Sequence, residues 1–241
     1  MTSPRAVARA IAAGLAAGRP AGTLAVPLAL HVSARIAERD AEDFAYDPTQ
    51  LANALRDLIH AIDPDGVPVC DPDLLLAGCL TAGEIAASQQ LTAAVEAARR
   101  LRASFGDRIA LVAVLPGPAT IAARTGAALV DGTQPGAADC LLTLGKEFLA
   151  AGADVIVVHD ETGPPDRPGA TRTALTTLAN VARFHQAAAL SHAVPRYGLP
   201  ATVPVGLGEP AHVPGVVLTP GSLPRDTDIS ALRDWVTAVR G

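Results

Sequence analysis

Polar side chains that can carry protons follow several short apolar runs of this sequence. His31 ends the first run, Asp71 follows the second, and His159 and Asp160 lie at the end of the fourth. Histidine and carboxylate groups that share a cleft can exchange protons, because crowding and burial shift their pKa values toward neutrality. We interpret these four residues as candidate catalytic groups. The alternative role of the two aspartates is to cap helices or fix loops.

Four further polar residues near the ends of the apolar runs are candidates for substrate binding. They are Arg35, Asp73, Thr120 and Glu209. A mixed histidine and carboxylate metal site is an alternative, but no two candidates have a ligand spacing such as His-x-His or Cys-x-x-Cys. We therefore expect no metal and no resident cofactor.

The three cysteines of the chain do not form the pattern of a disulfide framework. Cys70 ends an apolar run beside Asp71, whose carboxylate disfavours a nucleophilic thiolate. Cys140 lies in a predicted helix and is interpreted as a small buried hydrophobic residue. Neither cysteine is predicted to act in catalysis.

Apolar runs alternate with helical patterns along the chain. Predicted strands cover residues 23–31, 66–70, 109–115, 154–159, 201–206 and 215–218. Predicted helices cover residues 48–61, 81–105, 136–151, 170–192 and 228–239. Continuous apolar strands are typical of a parallel sheet buried on both faces, and the alternation predicts an α/β fold. Since parallel strands end on one face, the candidate residues are expected to share one pocket there, with helix N-termini that favour anions.

Composition restricts the class of protein. The 241 residues are 49% hydrophobic and suit one domain spanning 1–241. A net charge of −5 disfavours nucleic-acid binding, which needs a basic face. No apolar run approaches the ~20 residues of a membrane span. A cytoplasmic protein without membrane or nucleic-acid partners is therefore expected.

Six short motifs occur in a fixed order along the chain. They are Gly18-Arg19-Pro20 with Val26-Pro27, Tyr46-Asp47-Pro48, residues 65–71 (DGVPVCD), residues 115–122 (LPGPATIA), residues 151–156 (AGADVI) with Asp160, and residues 218–221 (LTPG). Together they resemble the motifs of the uroporphyrinogen decarboxylase superfamily. That superfamily includes decarboxylases, corrinoid-linked methyltransferases and cobalamin-independent methionine synthase.

The resemblance implies a TIM-barrel-like (β/α) barrel, and 241 residues with six predicted strands imply an incomplete or shortened one. In the decarboxylases an aspartate that matches Asp71 binds the substrate. The resemblance therefore implies a lyase or decarboxylase-like enzyme with a small anionic substrate. His31 and Arg35 lie near the family's basic positions without matching its arginines.

Two alternatives remain beside the decarboxylase. One is a methyltransferase-like protein, although the zinc-binding His-x-Cys pair and late cysteine of that branch are absent from this sequence. The other is a non-catalytic binding or partner subunit. An incomplete barrel would leave open strand edges, so a homodimer or a complex with a homologue is expected.

Overall fold

The computed structural model describes residues 2–16, 22–44, 46–126, 136–160, 168–193, 198–209 and 214–241. The Gly18-Arg19-Pro20 motif lies outside these residues. The strands of the described part are β1 (Thr23–Val26), β2 (Gly66–Cys70), β3 (Ala110–Pro116), β4 (Val155–His159), β5 (Ala188–Ser191), β6 (Val203–Pro204) and β7 (Gly215–Leu218).

Helices precede, separate and follow these strands. They are α1 (Pro4–Ala16), α2 (Leu30–Ile36), α3 (Ala41–Phe44), α4 (Pro48–Ile62), α5 (Pro72–Leu76), α6 (Ala82–Ala86), α7 (Gln89–Phe105), α8 (Pro118–Thr125), α9 (Ala137–Ala150), α10 (Pro168–Phe184) and α11 (Ile229–Arg240). None of the described helices is long and apolar enough to cross a membrane.

All strand pairs are parallel, as the sequence predicts, and they form two sheets with the orders β2-β3-β4-β5 and β1-β7-β6. The sheets touch at both ends. Asp65 N donates to Ala25 O at 3.1 Å beside β1 and β2, and Ser191 forms an isolated parallel bridge with Ala201 between β5 and β6. The edge strands of the two sheets therefore lie next to each other. Within the described residues, open strand edges are no longer a reason to expect a dimer. The dimer stays a prediction.

Both faces of the sheets are buried. One set of strand side chains, including Val112, Val114 and Val157, packs with Ile11 of α1 in one cluster. The alternate set, including Leu111, packs against the surrounding helices in a larger cluster. Because successive side chains of a strand point to opposite faces, continuous apolar strands contribute side chains to both clusters. The mixed α/β class is thus confirmed.

Helix starts agree with the sequence. Asp47 caps α4 by accepting hydrogen bonds from Thr49 N and Gln50 N. Thr81 and Glu84 form the predicted capping box of α6. The predicted helix over residues 81–105 is nevertheless two helices, because Ser88 has an extended backbone and caps α7.

Three predicted elements are shorter than expected. The first strand ends at Val26 and not at residue 31, so His31 belongs to α2. The predicted helix over residues 170–192 ends at Phe184, and β5 follows it. The predicted strand over residues 201–206 is only Val203–Pro204. The described chain consequently has seven strands where six were predicted.

A buried ionic cluster fixes the start of β4. Asp154 is 4% exposed and accepts hydrogen bonds from Arg5 Nε at 3.0 Å, from Arg102 Nη2 and from Leu111 N at 2.9 Å. Arg5 also binds the exposed Asp107 at 2.9 Å. The cluster joins α1 and α7 to the beginnings of β3 and β4, at the opposite end of these strands from the candidate residues.

Candidate functional site

A cavity of about 170 Å³ lies where the strands end. Its polar lining residues are Asp71, Asp73, Thr120, His159 and Ser222, and its apolar lining includes Leu28, Leu30 and Val114. The lining comes from the ends of β2, β3 and β4, from α5 and α8, and from the segments after β1 and β7. The predicted shared pocket therefore forms, with some of the predicted residues.

Asp71 occupies the central polar position of this cavity. It follows β2 directly and caps α5, because its Oδ1 accepts from Asp73 N at 2.9 Å and from Leu74 N at 3.4 Å. Its Oδ2 accepts from Ser222 Oγ at 2.8 Å. The side chain is 5% exposed yet lines the cavity. Asp71 thus fulfils the predicted capping role and also lines the cavity.

Ser222 was missed by the sequence reasoning. It lies 151 positions from Asp71 along the chain, and no local pattern marks it. The only sequence signal is its place in the loop after β7, where polar residues collect at strand ends.

His159 ends β4 and reaches the same cavity. Its imidazole stacks on that of His192, with ring centroids 4.6 Å apart and an interplanar angle of 18°. His192 follows β5 directly, and it was missed because residues 170–192 were predicted to be helical. Burial, followed by the proximity of His159, lowers the pKa of His192.

Asp160 is directed at α8. Its Oδ1 accepts from Thr120 N at 2.8 Å, within the first turn of that helix. The backbone of Gly117 passes so close that a Cβ there would overlap the Asp160 carboxyl group. Asp160 therefore fixes the helix that carries Thr120 to the cavity, which is the capping role weighed for it above.

Gly117→Ala is expected to displace Asp160 and to destabilise the protein by about 1–3 kcal/mol, the usual cost of overpacking. The matched control is Gly83→Ala, because a Cβ at that helical glycine would have its nearest neighbour at 4.0 Å. Thermal unfolding of both variants measures the difference. Equal melting temperatures would contradict the close packing of Asp160 on Gly117.

His31 lies in an outer cleft next to the cavity. The cleft has a volume of about 810 Å³ and is also lined by Asp40, Glu42, Asp71 and Asp73, among others. It shares Asp71 and Asp73 with the inner cavity. His31 thus approaches the site from α2 and not from a strand end.

Arg35 and Glu209 make contacts within the fold. Arg35 Nη2 donates to Thr227 O at 2.7 Å, and Glu209 Oε2 accepts from Gly206 N at 2.7 Å. Neither side chain belongs to the described lining of the inner cavity or of the outer cleft. The structure therefore leaves Asp73 and Thr120 as the predicted binding residues that reach the cavity.

The cysteines do not provide a thiolate metal site. Burial, with the adjacent carboxylate of Asp71, raises the pKa of the Cys70 thiol well above its ordinary value, and burial raises that of Cys140 to about 12. The described residues contain no group of three or more His, Cys, Asp or Glu side chains placed to hold a metal ion. The described residues therefore do not fit the zinc centre of the methyltransferases that the sequence motifs resemble.

The chain was compared with known proteins. No protein-family model matches it, and no curated protein does. It is similar in fold to a methyltransferase from Methanosarcina mazei. That solved structure matches with a TM-score of 0.69 and 13% sequence identity, over 99% of this chain and 98% of the other. Similarity at this identity shows the fold alone, and it extends over both chains nearly end to end.

Proposed function

We propose that this chain is a methyltransferase-like enzyme that binds a small molecule in the cavity of Asp71, Ser222 and His159. The observation that carries the proposal is the buried, hydrogen-bonded Asp71 carboxylate in a cavity that also contains an imidazole. The end-to-end fold similarity to a methyltransferase favours methyl transfer over the decarboxylase that the sequence motifs imply.

The charge of the cavity also favours this choice. The polar lining carries the two carboxylates of Asp71 and Asp73, and no arginine or lysine is among the described lining residues. A porphyrinogen with eight carboxylates would need several cations to hold it. A neutral or cationic substrate with hydrogen-bond donors matches these carboxylates better than the anionic substrate expected from the sequence.

Each polar group has a distinct part in the proposed reaction. Asp71 accepts a hydrogen bond from the substrate and orients it, while Ser222 holds the Asp71 carboxylate in place. His159 takes the proton of the nucleophilic N–H, O–H or S–H group as that atom bonds to the methyl carbon. The bond between the methyl group and its donor breaks, and its electron pair leaves with the donor. A neutral imidazole is suited to this proton transfer near pH 7.

The proposal also covers the type of fold and the superfamily. The seven parallel strands of the described residues, with contacts joining β1 to β2 and β5 to β6, support a shortened (β/α) barrel. The six motifs in sequence order support membership of the uroporphyrinogen decarboxylase superfamily. We assign the chain to its methyltransferase-like side, with a proton-transfer site in place of a thiolate metal centre.

A labelled-methyl assay tests this function. The purified chain is incubated with trideuteromethyl donors of three classes, a sulfonium, a quaternary amine and a methylcorrinoid, each with thiol, amine and hydroxyl acceptors. Mass spectrometry is expected to find label transfer that is lost in His159→Phe. Ligand binding without label transfer would support the binding-subunit alternative. Carbon dioxide release from a carboxylated substrate would support the decarboxylase.

A further inference from the structure

The stacked histidines at the ends of β4 and β5 form a unit that the reaction above uses only in part. His159 lines the cavity, whereas His192 lies behind it and is not among the described lining residues. The two rings are nearly parallel, with centroids 4.6 Å apart. His192 is therefore placed to act on the substrate only through His159.

His192 is fixed from several directions. Its backbone N donates to Val158 O at 2.9 Å, which joins the end of β5 to β4. Its side chain lies beside the backbone of Thr219, just after β7, which favours the protonated ring and partly offsets the lowering of its pKa. Its buried Nε2 has no hydrogen-bond partner. The Thr219 backbone therefore favours a proton on the other ring nitrogen, Nδ1, and we expect the neutral ring to be the Nδ1–H tautomer.

Thr219 connects this histidine pair to the other side of the cavity. It is fully buried, its Oγ1 accepts from Leu28 N at 3.0 Å, and the same oxygen donates to Gly221 O at 3.0 Å. The next residue, Ser222, donates to Asp71. Contacts and short stretches of backbone thus run from His159 through His192 and Thr219 to the group that orients the substrate.

Protonating both rings of this histidine pair would carry a high free-energy cost. Two imidazolium rings stacked face to face would place like charges close together beside buried surface. Burial, followed by the proximity of His159, lowers the pKa of His192, so the His192 ring is expected to stay neutral. The other titratable groups near the described cavity lie on the β2 side, after β4 and in the outer cleft. They are Cys70, Asp71, Asp73, Asp160, His31, Asp40, Glu42, Tyr46 and Arg225.

We propose that His192 is a positioning residue that stays neutral and holds the His159 ring toward the cavity, where that ring can take the proton of the substrate. The neutral His192 ring supports the His159 ring by stacking on it, and the Thr219 backbone fixes the position of His192. The catalytic part of this proposal rests on the proposed methyl transfer, whereas the tautomer and the coupled protonation do not.

Nuclear magnetic resonance of ring nitrogens tests the coupling on the whole chain without any substrate. At neutral pH, His192 is expected to carry its proton on Nδ1. In His159→Phe, which keeps an aromatic ring and removes the second imidazole, the pKa of His192 is expected to rise. The control is His60→Phe, because His60 also contacts an aromatic ring, Phe105, away from the cavity. Unchanged titration of His192 in His159→Phe would overturn the proposal.

Kinetics test the positioning role with the substrate found in the labelled-methyl assay. His192→Ala is expected to lower kcat by about 10–100-fold with little change in KM, because a loosened catalytic group loses its geometry. His192→Phe restores an aromatic ring that can stack on His159, and it is expected to recover most of kcat. Wild-type kcat in His192→Ala, with the melting temperature preserved, would show that the ring positions nothing. If neither the wild-type chain nor its variants transfer methyl groups, the proposed function is wrong. The resonance experiment then still tests whether the protonation of His192 depends on His159.

Discussion

Replacing Asp71 by asparagine is expected to lower methyl transfer by about 100-fold or more while the protein stays folded. Asparagine retains a side-chain oxygen that can accept from Asp73 N, so the cap of α5 survives. The change removes the negative charge and the second carboxylate oxygen, which accepts from Ser222. Turnover and melting temperature are measured on the same preparation, together with Asp71→Ala, for which a stability loss of about 1 kcal/mol is expected.

Asp47→Asn is the matched control for this experiment. Asp47 also precedes a proline and caps a helix, with hydrogen bonds from Thr49 N and Gln50 N, but it lies outside the cavity. Its replacement is expected to leave turnover unchanged. If Asp71→Asn and Asp47→Asn had the same turnover, Asp71 would be a helix cap only, and the proposed site would lose its central group.

Asp154→Ala is expected to reduce the free energy of unfolding by about 3–5 kcal/mol, because it leaves two partly buried arginines without the carboxylate that they share. Two arginines and the backbone N–H of Leu111 all donate to this one carboxylate. Burial already lowers the pKa of Arg102, and Asp154 is the first group that offsets this effect. Denaturant unfolding monitored by circular dichroism measures the loss.

Comparison with Asp107→Ala distinguishes the effect of a buried carboxylate on stability from the effect of an exposed ion pair. Asp107 binds the same Arg5 guanidinium as Asp154, but its side chain is 58% exposed compared with 4% for Asp154. Exposed ion pairs contribute little to stability, so the midpoint of unfolding should shift only slightly. Similar losses in the two variants would mean that the arginines, and not the buried carboxylate, determine the stability of this cluster.

Local signals in the sequence predicted much of the fold. The Asp47-Pro48 start and the Thr81 capping box act within a few residues, so both helix starts could be predicted correctly. The apolar runs at β2, β3 and β4 were likewise found, since buried parallel strands need no partner-specific pattern.

The missed strand β5 shows where local signals fail. Its sequence, AALS, has no β-branched or aromatic residue and continues the alanine-rich pattern of α10. The helix ends without a glycine, and Gln186 takes a positive φ of 58° in the turn to the strand. A non-glycine residue in this conformation gives no stop signal in the sequence.

The candidate site was predictable only in part for a related reason. Asp71, Thr120 and His159 were found because each comes at or soon after a strand end in the chain itself. The partners that fix them, Ser222 for Asp71 and His192 for His159, depend on which strands become neighbours. That information lies in tertiary contacts and not in any single window of the sequence.

The pairing of β1 with β7 sets a limit on how early the chain can complete its fold during synthesis. Thr23 lies beside Gly215, and Val26 beside Leu218, so the pairing joins segments separated by most of the chain. Contacts this distant in sequence are formed at a high entropic cost and slow the folding of a domain. On the ribosome, the first strand must wait for residue 218 to emerge before its β7 neighbour exists. Until then its apolar surface is available to chaperones.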